Sequence, residues 1–133
     1  MTHRLEIRVF YEDTDMAGIV YYANYLRYIE RGRSSMLREL GFSQNALKDQ
    51  DGIVFAVTAV DAKYKRPAVL DDLLVVETAI LAQTKARVVF EQKVLREDEV
   101  LFVARVDVAT LKKNGRPAGI PDTAREIFER FQA

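Results

Sequence analysis

Three carboxylates, Glu12, Asp13 and Asp15, fall within four residues of the stretch YEDTDMAGIV at Tyr11–Val20, and Gly18 follows them. A cation loop is the first chemistry to weigh. Asp13, Asp15 and Gly18 take the first, third and sixth places of an EF-hand loop. The fifth place, however, is Ala17, the ninth is Tyr21, and the twelfth, where a bidentate glutamate is required, is Asn24. The oxygen ligands run out, so the acids are not expected to hold a metal. A second chemistry is carboxylate catalysis, in which an aspartate acts as general base towards water or as nucleophile towards an acyl carbon. Either role needs a carbonyl polarised by donors. The first N–H groups of a helix are such donors, because they lack intrahelical partners and carry the positive end of the helix dipole. Asp15 lies seven residues before Tyr22. A loop turning on Gly18 would set its carboxylate opposite a carbonyl held by the N–H groups of Tyr22 and Ala23. A thioester suits this arrangement, because a thiolate leaves without a strong general acid and the loop offers none. The simpler reading also stands: acids ahead of a helix commonly cap it or shape a turn.

Other chemistries are poorly supplied. No cysteine is present, which removes thiolate nucleophiles, disulfides and cysteine zinc sites. The only histidine is His3, so a serine triad would have to recruit it to Ser34, Ser35 or Ser43, without a G-x-S-x-G motif. There is no H-E-x-x-H, P-loop or dinucleotide glycine fingerprint. Lysine plus arginine equals aspartate plus glutamate, at 20 each, so no bulk charge favours nucleic acid. The N-terminus lacks an apolar signal core and no apolar run approaches the roughly 20 residues of a membrane span. A cytoplasmic protein without membrane insertion is expected, and its 133 residues suit a single domain over 1–133.

The elements that must position the acids follow from periodicity. Arg4–Tyr11 alternates, with Leu5, Ile7, Val9 and Tyr11 on one side, and reads as a half-buried strand. A helix is predicted from Tyr22 to Leu40, with Tyr25, Ile29, Gly32 and Met36 on one stripe and Gly41 after its end. Gly32 costs that helix about 1 kcal/mol relative to alanine, which implies close approach to another element. The segment FSQNALKDQDG has room for a helical turn. Four strands follow, at Ile53–Arg66, Leu73–Ala82, Arg87–Arg96 and Val100–Leu111. The first of them is apolar on both faces as far as Val60, which predicts a central strand. A final helix begins near Pro121, with Thr123 and Glu126 spaced as a capping box. Consecutive strands joined by short turns must run antiparallel, so the fold class is α+β: a five-stranded, mostly antiparallel sheet against one long helix. One helix covers one face of the sheet, leaving the other face or an edge for a partner chain.

The run YEDTDMAGIVYYANYLRYIERGRSSML resembles the signature of the hotdog-fold acyl-CoA thioesterases of the 4-hydroxybenzoyl-CoA thioesterase family, and within it the YbgC-like, Tol-Pal-associated branch. The segment KYKRPAVLDDLLVVET is similar to that family's second and third strands, so the resemblance spans nearly the whole chain. It implies a hotdog fold, in which the sheet wraps the long helix, a homodimer that often pairs again into a homotetramer, and an active site at the subunit interface. Residue by residue, it implies Asp15 as the catalytic carboxylate, Asp13 as a loop-shaping residue and Gly18 as the turn. Tyr22 stands where the branch usually has a histidine, while its backbone N–H, with that of Ala23, keeps the oxyanion role. Related enzymes use a helical glutamate as base, which brings in Glu30; an ion pair with Arg27 or Arg33 is its plainer role. Lys63, Lys65 and Arg66, together with Lys85 and Arg87, are candidates for the phosphates of coenzyme A, against the plain alternative of solvated surface. Tyr21 and Tyr25 are candidates for an acyl pocket, against a core role. The function implied is hydrolysis of an acyl-CoA thioester to acid and coenzyme A, with no cofactor beyond the coenzyme A of the substrate. The alternative is a scaffold that binds acyl-CoA or acyl carrier protein without turnover. A hydratase reading lacks the histidine it needs.

Overall fold

The computed structural model describes residues 1–133. The strands are β1 (His3–Arg8), β2 (Ile53–Tyr64), β3 (Leu73–Gln83), β4 (Arg87–Arg96) and β5 (Glu99–Lys112). The helices are α1 (Asn24–Glu39), α2 (Gln44–Asp51) and α3 (Asp122–Arg130). The strands form one antiparallel sheet in the order β1-β3-β4-β5-β2. The α+β architecture, the five strands and the long helix are as the sequence predicts.

Alternation divides the sheet into two faces. The inner face carries Ile7, Leu74, Val76, Ile80, Phe90, Val94, Phe102 and Val106, and these pack with Tyr25, Tyr28, Ile29 and Met36 of α1 into the core. The outer face carries charge, including the pairs Arg4–Glu77 and Arg87–Asp107. Helix α1 lies closest to the sheet at Gly32. A Cβ built there would meet Val76 Cγ1 at 2.7 Å and Thr78 Oγ1 at 3.0 Å. The helix therefore accepts glycine's poor propensity in exchange for contact. Beneath it runs a buried polar row. Gln92 donates to the Ile29 carbonyl at 2.8 Å and to Thr78 Oγ1 at 2.9 Å, and accepts from Arg33 at 2.9 Å.

Several boundaries differ from the sequence expectations, each for a physical reason. β1 ends at Arg8 rather than Tyr11, because Tyr11–Asp13 turns into a short 3₁₀ segment tied by Phe10 N–H to Asp13. α1 starts at Asn24 rather than Tyr22, since the Tyr22 carbonyl is held outside the helical ladder. β2 is not central but lies at the sheet edge, with Val54, Val57, Val60 and Tyr64 all exposed. Apolar character on both faces of a strand reports burial of some kind, and it does not say whether neighbours in the same chain supply it. The Thr123–Glu126 capping box is absent, because α3 begins one residue before Thr123, with Pro121 at its N-cap. The turn expected near FSQNALKDQDG is a full helix, α2, capped by Ser43 through the Ala46 N–H.

Candidate active site

The loop between Asp13 and Val20 folds back on itself as a miniature hairpin. Asp15 N–H donates to the Ile19 carbonyl at 3.0 Å, Gly18 N–H donates to the Asp15 carbonyl at 2.9 Å, and Thr14 bridges Val20. Gly18 has φ +79°, a left-handed conformation that a side chain would strain. Val20 N–H bonds the Ala68 carbonyl, so the loop is stapled to the turn between β2 and β3.

The three acids part company here. Asp13 is buried, accepting from Phe10 N–H at 2.9 Å and from Asn24 Nδ2 at 2.7 Å, while its own carbonyl accepts from Tyr21 N–H. It locks the loop to the start of α1. Asp15 is exposed. One of its carboxylate oxygens accepts from Ala17 N–H at 2.9 Å, and the other has no partner in the chain. Glu12 is exposed and lies on the far side, in a groove between β1 and α1.

Asp15 opens onto a cleft of about 430 Å³ that is also lined by Tyr22, Tyr25, Tyr64, Lys65 and Arg66. At the start of α1, Asn24 N–H bonds the Tyr21 carbonyl and Leu26 N–H bonds the Ala23 carbonyl, whereas the N–H groups of Tyr22 and Ala23 have no acceptor in the chain. Consecutive N–H groups without acceptors can hold an oxyanion, and a carboxylate oxygen without a donor can attack an acyl carbon or activate water. Tyr25 packs flat on Phe102 at 5.0 Å between centroids, and its hydroxyl accepts from Ala68 N–H at 3.2 Å. Burial raises its pKa, so it stays a neutral wall.

The other predicted residues are not all gathered into this cleft. Tyr21 lies tilted against Tyr22 at 4.9 Å between centroids without lining the cleft. Lys63 points to the outer face beside Val103. Glu30 lines a separate cavity of about 210 Å³ with Arg33, Phe55 and Phe90, and accepts from Ser34 rather than pairing with an arginine. Arg87 opposes Ala109, whereas the Asp15 cleft lies beside Phe102 at the start of β5. Seven residues of strand separate those positions, or about 23 Å. Lys85 and Arg87 therefore sit at the opposite end of the sheet from Asp15 of the same chain, and Arg87 is paired with Asp107 at 2.8 Å.

Tyr64 also lines the cleft, and the sequence does not single it out. Strand alternation fails to find it because the β2–β5 register shifts between Val57 and Ala59. Phe55 and Val57 face inwards before the bulge, and Val60, Ala62 and Tyr64 face inwards after it.

The thioesterase superfamily profile matches residues 17–103. The chain belongs to that superfamily. This thioesterase-family chain is 37% identical over 127 residues to the acyl-CoA thioesterase YbgC of Haemophilus influenzae, covering 95% of this chain and 93% of that one. It is 40% identical over 124 residues to the acyl-CoA thioester hydrolase YbgC of Escherichia coli, covering 88% and 91%. Its fold matches a probable thioesterase from Bartonella henselae with a TM-score of 0.87 at 36% identity, over 91% of this chain and 100% of that chain. The hotdog fold expected from the resemblance is thus the fold observed.

Proposed function

We propose that this thioesterase-family chain hydrolyses acyl-CoA thioesters, with Asp15 as the reacting carboxylate. The observation that carries the reading is a free Asp15 oxygen in a cleft that Tyr22 also lines, with acceptor-less N–H groups at Tyr22 and the adjoining Ala23. The thioester carbonyl oxygen accepts from those N–H groups. Asp15 either takes a proton from water as the water oxygen bonds to the acyl carbon, or bonds to that carbon itself to give an anhydride that water then opens. In both routes the C–S bond breaks, the sulfur leaves as thiolate and is protonated, and the products are the carboxylic acid and coenzyme A. Donors aimed at a developing oxyanion are worth about 3–4 kcal/mol of barrier. The tyrosine walls favour an uncharged, apolar acyl group.

The working unit in this reading is a homodimer formed along β2. The edge strand is free, apolar on both faces as far as Val60, and exposes Val57 and Val60. A bare apolar edge is costly for a soluble protein unless another chain covers it. Antiparallel pairing of two β2 strands sets the Tyr64 end of one against the Ile53 end of its partner. That arrangement swings the partner's Lys85 and Arg87 towards the open end of the Asp15 cleft, where the phosphates of coenzyme A would emerge beside Lys65 and Arg66.

A thiol-release assay over aliphatic and aromatic acyl-CoAs tests the reading. Asp15→Asn should lower kcat at least about 100-fold, the usual scale for losing a general base or nucleophile, with an unchanged melting temperature. Turnover at the parental rate in that variant would sink the assignment. Tight acyl-CoA binding without thiol release by the parent protein would favour the scaffold role.

A further inference from the structure

The start of α1 is held open by one side chain that comes from the far edge of the sheet. Tyr64 Oη donates to the Tyr22 carbonyl at 3.0 Å, and no backbone N–H bonds that carbonyl. In a regular helix, it would accept from Leu26 N–H, four residues on. Leu26 N–H instead takes the Ala23 carbonyl at 3.2 Å, so the ladder begins one residue late. The consequence is local and chemical. The Tyr22–Ala23 peptide is planar, so anchoring its carbonyl fixes the plane that carries the Ala23 N–H, and anchors the residue that carries the Tyr22 N–H. Accepting a hydrogen bond at the carbonyl also polarises the same amide and makes its N–H a better donor.

Tyr64 is well built for this task. Its ring is packed edge-on against Phe102 at 5.0 Å and Tyr25 at 5.5 Å, and it also contacts Tyr22 at 6.2 Å between centroids. These contacts hold the ring, and its hydroxyl donates to the Tyr22 carbonyl. Burial, followed by the neighbouring Tyr22, raises its pKa, so the hydroxyl keeps its proton at ordinary working pH. The same ring lines the Asp15 cleft.

We infer that Tyr64 is a positioning residue for the oxyanion donors: its hydroxyl holds the Tyr22 carbonyl out of the helical ladder and so sets the direction in which the unpaired Tyr22 and Ala23 N–H groups meet the thioester oxygen. The inference rests on the thioesterase reading above. It adds a role for a strand residue that touches neither the carboxylate nor the reacting carbonyl.

The test is Tyr64→Phe, which keeps the ring and its packing and removes only the donor. On an acyl-CoA that the parent protein turns over, kcat should fall about 10-fold while KM changes less than about twofold. Loss of an oxyanion donor outright costs about 100- to 1,000-fold, and a misdirected donor less. In ¹⁵N–¹H spectra of the two proteins, the amides of Tyr22, Ala23 and Leu26 should move, with α2 and α3 unchanged. A kcat within twofold of the parent's would overturn the inference while leaving the Asp15 assignment standing. So would a loss of kcat that merely tracks a fallen melting temperature, since that is a packing effect. If the parent protein and Asp15→Asn are equally inactive on every acyl-CoA, the thioesterase reading fails first and this role fails with it.

Discussion

Asp13 and Asp15 stand two residues apart in opposite surroundings. Asp13 spends both carboxylate oxygens on protein donors, Phe10 N–H and Asn24 Nδ2, in a buried setting. Asp15 spends one and keeps the other free. Substitution should separate them. Asp13→Ala leaves a buried amide side chain without its acceptor, a loss of about 2 kcal/mol or more, which urea unfolding should read as a lower midpoint. Asp15→Asn should leave that midpoint in place and remove turnover. The divergence also shows how far the acids were legible. Their clustering pointed to the loop, but whether an acid is structural or chemical depends on which donors surround it. Asn24 reaches Asp13 only because the loop closes on Gly18.

At the scale of elements, helix α1 is the core's main helical wall and, in the proposed mechanism, the source of the oxyanion donors, and one residue fixes its depth. Gly32→Ala would gain about 1 kcal/mol of helix propensity, but the added methyl meets Val76 Cγ1 at 2.7 Å and Thr78 Oγ1 at 3.0 Å. Both neighbours are fully buried and β-branched, so they have little room to give. Overpacking of this kind costs about 1–3 kcal/mol. The net expectation is a destabilised protein, read as a lower melting temperature, with KM and kcat altered as α1 lifts from the sheet. The sequence did foresee close approach at this glycine. It could not foresee where the helix begins, because the Tyr22 carbonyl is claimed by Tyr64, 42 residues away in the chain. Nor could alternation place Tyr64 itself, since the bulge after Val57 reverses the phase of β2.

At the scale of the whole molecule, the open feature is the edge formed by β2. The strand was expected at the centre of the sheet because both of its faces are apolar, and it lies at the edge. The two facts agree if a second copy supplies the missing neighbour. Val60→Asp discriminates the possibilities. On a monomer it lowers stability without changing sedimentation, because Val60 is 42% exposed and takes no part in a seam. On a dimer paired along β2 it places a charge in the seam, so sedimentation should show monomers, and thiol release should fall with the loss of the completed cleft. Parental sedimentation in that variant would remove β2 as the seam.

The sequence by itself determined the fold class, the strand order, the acidic loop ahead of the long helix and the superfamily, because alternation, helical periodicity and a contiguous motif are local properties. Only the tertiary structure decided which acid is free, which donors are unpaired, that Glu30 and Lys63 lie outside the Asp15 cleft, and that Tyr64 lies within it. Those outcomes depend on contacts between residues far apart in the chain, such as Asn24 on Asp13, Val20 on Ala68 and Tyr64 on Tyr22. Such contacts are set by the register of the sheet and the depth of the helix, and neither is written in any single stretch of the chain.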